Sequence, residues 1–400
     1  MEIITIGNEL LSGATINSNA AFLCRQLHQA GYVVDRVTVV GDSTAAILSS
    51  LIEAFARTDT VIATGGLGPT VDDVTRVAAA EYFRSDFAYN EQIAQLLIDR
   101  YGSKLSSIKD QATLPVKAQL FSNAIGTAQG LLFKEDERLL FLLPGVPSEM
   151  RHLAEDYVLP YLREQRPTAA RSVRQVHLHN TFESAVDPVI RDLQKKYSSV
   201  AFGIYPYPGR VSVTLSGEAA EEVEACCEAL ASAFTGKVFE SSDGTIEAAV
   251  HQRMIEKKLT LATAESCTGG AIASRLTAIA GASEYFVGSC VTYSNAMKER
   301  LLGVSAMTLQ EKGAVSEETV REMLCGLLDV TQADCGIAVS GIAGPTGGSG
   351  EKPIGTVWAA VGMLGREPLV WLMKGPGTRE MVIDYSVTRT LGELYYYLEK

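Results

Sequence analysis

The residues best suited to chemistry lie in Glu265-Ser266-Cys267-Thr268-Gly269-Gly270, which ends the short apolar run LTLATA and opens an amphipathic segment. A hydroxyl at such a strand-to-helix turn faces unpaired N–H groups and the positive end of a helix dipole, which stabilise an anion or a developing oxyanion. Ser266 then reads as a nucleophile or as part of a phosphate cradle. Ser and Thr are also good helix caps, and the turn by itself leaves both readings open.

A serine needs a partner base. No histidine follows His251, so a Ser-His-Asp arrangement is out of reach in this region. Lys298 is the available base, because a lysine desolvated among small apolar residues titrates nearer neutrality. Tyr293, five residues earlier in VTYSNAMK, can orient or relay the proton. The ordinary alternatives are a solvated helix lysine and a half-buried strand tyrosine. The segment 339–356, VSGIAGPTGGSGEKPIGT, holds more glycine than a turn requires, and its N–H groups can line a phosphate or amide oxygen. Arg379 in MKGPGTRE suits a phosphate or a carboxylate. Thr268, Gly269, Gly341, Ala343, Gly344 and Arg379 are therefore the candidate substrate contacts here.

A second constellation lies near the start. The strand-like TDTVIA runs into TGGLGPTVDDVTR, 64–76, where Gly65, Gly66, Gly68 and Thr70 can bring backbone close to a ligand. Asp72 and Asp73 sit where a helix should begin, as an N-cap or as metal or ribose contacts beside a phosphate loop.

Elements must hold these residues in place. Over 1–165, buried strand-like runs such as IITIG alternate with helical segments, which predicts a parallel, doubly wound sheet flanked by helices. Ligands of such sheets lie at the carboxyl ends of the strands. RPTAARS, 166–172, reads as a linker into a small α+β unit over 170–242. A new βα alternation fills 246–400, giving three units. The chain has 400 residues and a formal charge of −12, which opposes affinity for nucleic acid or anionic membrane. Seven scattered cysteines with no C-x-x-C pair indicate neither a disulfide framework nor a zinc knuckle, and point to reduced thiols. The chain opens directly on a strand, and its apolar runs are too short to span a bilayer, so a cytoplasmic protein is expected.

AESCTGG, VTYSNAMKERLLGV, GAVSEETV, VSGIAGPTGG and EKPIGTVW together resemble the C-terminal domain of the CinA family, the nicotinamide-nucleotide amidases. The resemblance implies metal-free deamidation of nicotinamide mononucleotide to nicotinate mononucleotide and ammonia. It makes Ser266 the nucleophile and Lys298 the general base, with Tyr293 assisting and helix-start N–H groups holding the oxyanion. One departure is Ile383, where amidase members carry an arginine; loss of the amidase, leaving a nucleotide-binding protein, is the alternative it raises.

GNELLSGATINSNAAFL, TGGLGPTVDDVTR, NAIGTAQG and FLLPGVPSEMR resemble the molybdopterin-binding-like domain of the same family. This implies hydrolysis of ADP-ribose to AMP and ribose 5-phosphate with a divalent metal, Mg or similar, at Asp72 and Asp73. Pterin binding is the alternative that fold analogy alone suggests. Gln129 stands where the family usually has proline, which predicts a looser turn. The middle unit is similar to the family's KH-type domain but lacks a GXXG loop, so it is expected to be a spacer or dimer element rather than an RNA clamp. The expected partners are the two small nucleotides and a second copy in a homodimer, with neither nucleic acid nor membrane.

Overall fold

The computed structural model describes residues 1–70, 72–102, 107–167 and 172–399, in two compact units, 1–171 and 172–400. Most of the predicted 166–172 linker lies outside the described residues.

In the first unit six strands form a sheet in the order Arg36–Val40, Glu2–Ile6, Thr60–Thr64, Arg138–Leu143, Gly130–Glu135, Ala118–Phe121. Successive side chains point to opposite faces and enter different cores. Ile4, Ile6, Val61, Ala63, Leu140 and Leu142 face one core, and Ile3, Ile62, Leu139, Phe141 and Leu143 the other. Covering both faces is what makes IITIG and TDTVIA unbroken apolar runs. Helices Thr44–Phe55 and Thr75–Tyr82 supply one layer, and Ser18–Gln29 and Pro147–Leu153 the other. The doubly wound architecture is as expected, but only four strands are parallel. Gly130–Glu135 and Ala118–Phe121 add antiparallel at one edge. Short hairpin connections, rather than crossover helices, join these last strands, and antiparallel pairing follows from that.

The second unit holds two sheets. Four antiparallel strands, ordered Ala201–Tyr207, Arg210–Gly217, Ser172–His179, Val238–Phe239, pack against helices Glu183–Lys196 and Ala220–Ala233. The other sheet runs Phe286–Val291, Leu261–Glu265, Cys335–Gly341, Thr356–Met363, Leu369–Lys374, with the first three strands parallel and the last two antiparallel. Leu261, Ile337, Val339, Val357 and Val361 face a core shared with helices Ile246–Lys257 and Arg379–Tyr397. The opposite face is mostly alanine (Ala262, Ala264, Ala338, Ala360), and the leucine-rich helix Glu317–Thr331 packs on it. Among the described residues no helix is long and apolar enough to cross a membrane.

Candidate active site

The strand Leu261–Glu265 ends where Ser266 N donates to Val339 O at 3.0 Å, which carries the parallel pairing one residue further and fixes the serine at the sheet's carboxyl edge. On the other side Thr292 N donates to Glu265 O at 2.8 Å, just beyond the strand Phe286–Val291. The chain then enters the helix Asn295–Leu302, capped by the Ser294 hydroxyl on Met297 N. Side chains on a helix lean toward its N-terminus. Lys298 accordingly reaches back, donating to Thr292 O at 2.8 Å and to Ser266 Oγ at 3.0 Å.

Lys298 is 1% exposed and Ser266 7%. Burial lowers the lysine's pKa below its ordinary value, the nearby Cys267 opposing this only partly. Burial also pushes the Cys267 thiol up to about 12, so the neighbouring sulfur is protonated and does not compete as an anion. The pair is a hydroxyl hydrogen-bonded to an amine whose charged form is disfavoured by burial.

Glu265 has a larger part than the sequence suggested. Its carboxylate is fully buried and accepts from Gly270 N at 3.0 Å, Ile272 N at 3.1 Å and Ala273 N at 2.9 Å. These are the orphan donors at the start of the helix Ala271–Thr277. The expectation that they hold an oxyanion is therefore wrong: the Glu265 carboxyl group already takes up those donors. Neither Ser266 nor Thr268 caps it; the N-cap is Gly270, with φ +97. The signal was an acid five residues before the helix N-cap, too far upstream for an ordinary first-turn acid. The donors that remain at the turn are Cys267 N and Thr268 N, with no backbone acceptor among the described residues. The Thr268 hydroxyl is buried and, among the described residues, without a hydrogen-bond partner.

The remaining predicted contacts form a rim. Gly341 ends the strand Cys335–Gly341, and Ala343 and Gly344 begin the glycine-rich excursion that closes where Gly355 N donates to Ile342 O at 2.7 Å. Gly269 has φ +63 with open space around its Cα. Arg379, the first residue of the last helix, donates to Gly344 O at 2.9 Å and to Tyr293 Oη at 3.1 Å. Tyr293 is 62% exposed, and its hydroxyl meets Arg379 rather than Ser266 or Lys298. The predicted proton relay through Tyr293 is thus replaced by a tyrosine–arginine–carbonyl rim. Ile383 packs half-buried against the adjoining core.

In the first unit a cleft of about 440 Å³ opens at the carboxyl ends of the parallel strands. Gly65, Gly66, Gly68, Asp72 and Asp73 line it, with Glu9, Asp42 and Glu149. Gly65 is obligatory, since it has φ +111 and a Cβ would lie 2.1 Å from Ile6 O; at Gly68 a Cβ would lie 2.4 Å from Asp73 Oδ2, and that side chain would have to move. The two aspartates do not cap the following helix, whose N-cap is Val74. Asp73 instead accepts from Thr70 N at 2.9 Å and Thr70 Oγ1 at 2.5 Å, closing its own turn. Among the described residues no three His, Cys, Asp or Glu side chains gather as a metal cage. Yet the cleft is lined by acids and, among the described residues, by no Lys or Arg. That donor set fits a hard cation of the Mg type, which takes one or two carboxylates and completes its shell with water and substrate phosphate. Gln129 does not loosen its turn. Buried in proline's place, it accepts from Asn123 N at 3.2 Å and donates to Thr127 O at 3.3 Å.

Three family models match in succession: Probable molybdopterin binding domain over residues 2–164, FAD synthase, middle domain over 172–243, and CinA C-terminal domain over 243–398. The chain is similar to a CinA-like protein of Syntrophus aciditrophicus (strain SB), 40% identical over 92% of this chain and 90% of that protein. It is also similar to a CinA-like protein of Chlorobium limicola, 36% identical over 92% of this chain and 88% of that protein. Among solved structures, the competence damage-inducible protein A of Klebsiella pneumoniae subsp. pneumoniae is 40% identical, covering 38% of this chain and 95% of that one, with a TM-score of 0.38.

Proposed function

The chain belongs to the CinA family, and from that membership we propose that its C-terminal sheet carries a serine–lysine amidase acting on nicotinamide mononucleotide. The observation that supports this most is the 3.0 Å contact of a buried, desolvated Lys298 with the Ser266 hydroxyl. In the proposed cycle neutral Lys298 takes the Ser266 proton as Oγ attacks the carboxamide carbon. The oxygen that gains charge is met by Cys267 N, Thr268 N and the Thr268 hydroxyl. As the tetrahedral species collapses, the C–N bond breaks, Lys298 returns the proton to nitrogen, and ammonia leaves. Water then attacks the Ser266 ester with Lys298 again as base, releasing nicotinate mononucleotide. Arg379 at the rim is the proposed contact for the nucleotide phosphate. Ammonia release from nicotinamide mononucleotide tests the reading, with Ser266→Ala as control. Turnover by wild type that the variant lacks is expected. Wild type no faster than Ser266→Ala at equal concentration leaves a binding protein instead.

The acidic cleft of the first unit favours a second activity, hydrolysis of ADP-ribose to AMP and ribose 5-phosphate. A divalent cation held by Asp72, with Asp73 shaping the loop, would neutralise the pyrophosphate. The glycine loop would bring backbone N–H groups to the same oxygens. Release of AMP that stops on chelation of divalent cations checks this half.

A further inference from the structure

Resting on the reading that the N-terminal cleft hydrolyses ADP-ribose, we propose that Glu149 is the proton-carrying residue of that reaction. The loop between strands Ala118–Phe121 and Gly130–Glu135 is built around this one side chain. Asn123, fully buried, spends both amide protons on Ala128 O at 2.9 Å and Glu149 Oε2 at 2.6 Å. Its Oδ1 accepts from Ile125 N at 3.1 Å and Gly126 N at 2.9 Å. A Cβ on Gly126 would lie 1.9 Å from Glu149 Oε2, so the loop backbone runs close against the carboxyl group, and a side chain there would have to displace it. Two more groups pin the loop from outside. Arg100 donates to Asn123 O at 2.7 Å, and Ala124 N donates to His152 Nε2 at 3.3 Å while His152 Nδ1 pairs with Asp156.

The result is a carboxyl with one oxygen anchored and the other, Oε1, without a hydrogen bond among the described residues, in the wall of the cleft. Half-burial raises its pKa above the ordinary carboxyl range, against the pull of the Asn123 hydrogen bond. Asp73 and Asp42 also have one oxygen committed, to Thr70 and to Asn8 N, but at exposed contacts, whereas the Asn123 amide that holds Glu149 is fully buried. In the proposed step a water oxygen bonds to phosphorus while its proton passes to Glu149 Oε1. The bridging P–O bond breaks with its electron pair on the leaving phosphate, and the proton then leaves Glu149 for that phosphate or for solvent.

Steady-state hydrolysis of ADP-ribose by the full chain, as a function of Mg²⁺ and pH, tests this with Glu149→Gln. The expected loss is roughly 10²- to 10⁴-fold in kcat, the range of general acid–base catalysis, with KM and the half-saturating Mg²⁺ within about threefold of wild type. Calorimetric binding of AMP in Mg²⁺ is expected to be unchanged. The acid limb of the wild-type pH profile should vanish in the variant, whereas limbs due to the facing Glu9, Asp42, Asp72 and Asp73, or to Arg100 and His152 behind the loop, would survive. Glu149→Asp keeps the carboxyl but withdraws it by one methylene, and is expected to fall between wild type and Glu149→Gln. Equal activity of the two variants, or a kcat for Glu149→Gln above about a tenth of wild type, overturns the assignment. A raised Mg²⁺ requirement with a retained acid limb also overturns it, making Glu149 a metal ligand. No turnover by wild type removes the assignment together with the reading beneath it.

Discussion

Lys298 is held in a place where its charge is unwelcome. Its two hydrogen-bond partners, the Ser266 hydroxyl and the Thr292 carbonyl, are uncharged, and almost none of its surface meets water. Burial lowers its pKa in the folded protein, while the unfolded chain keeps an ordinary lysine near 10.4. Between those two values the unfolded state binds a proton that the folded state does not. Stability therefore rises with pH through that window, and the burden is largest below it. Two consequences follow from one sign. The proposed amidase activity, which needs the neutral amine, should climb with pH until it passes the lowered pKa. Lys298→Met should abolish ammonia release and raise the melting temperature at pH 7 by a few degrees, for a gain on the order of 1 kcal/mol. The gain should fade as pH rises past about 10.4, where both states are neutral. Thermal melts at pH 7 and above the window check this, and a variant that melts below wild type at pH 7 contradicts it. Ser266 was legible at the end of a readable apolar run, and Lys298 as its partner because no histidine follows His251 and the motifs resemble those of the CinA family. Glu265 was not, because its three N–H partners lie five to eight residues downstream and meet it only once the glycine turn folds back.

At the scale of elements, the site depends on how closely two helices approach. The helix Asn295–Leu302 carries Lys298, and the helix Glu317–Thr331 packs beside it across Gly326. A Cβ on Gly326 would lie 1.8 Å from Leu302 O, inside any tolerable contact. Gly326→Ala gains helix propensity of about 1 kcal/mol, but the displaced helix should make it a net loss of about 1–3 kcal/mol. Ammonia release should fall with it as Lys298 is moved off Ser266. Gly288→Ala is the control: nothing lies within 4 Å of the added carbon on the edge strand Phe286–Val291, and a change within about 0.5 kcal/mol is expected. Chemical denaturation of both variants, with ammonia release measured in parallel, checks the contrast; equal effects would mean that helix approach does not govern the pair. The parallel pairing of the buried runs followed from the alternation of apolar and amphipathic segments. The antiparallel edges did not, because a short strand such as Ala118–Phe121 carries too few residues to announce its direction.

For the whole molecule the question is how many parts fold together. Family models divide the chain in three, yet the middle sheet and the C-terminal sheet lie in one compact unit. Phe239, on the last strand of the middle sheet, is 2% exposed within the same core as Ile246, Val250, Leu391 and Tyr395. Tyr396 donates its hydroxyl to Val238 O, and the ring of His179 lies 5.8 Å from that of Tyr396. Gly392 is required there, since a Cβ would fall 2.0 Å from His179 Nδ1. The middle sheet thus shares its apolar burial with the helix Arg379–Tyr397, whose first residue is the rim arginine. Residues 1–171 bury two cores of their own. Calorimetric unfolding of the full chain should then show two transitions rather than three. Phe239→Ala, which removes about 3–5 kcal/mol of packing, should lower one of them by on the order of 10 °C. It should be the same transition that Lys298→Met raises, although the two side chains belong to segments matched by different family models. A third transition, or a Phe239→Ala shift confined to a step that Lys298→Met leaves alone, would show that the middle sheet melts by itself and that its apolar contacts with the last helix are too weak to bind it to the C-terminal sheet.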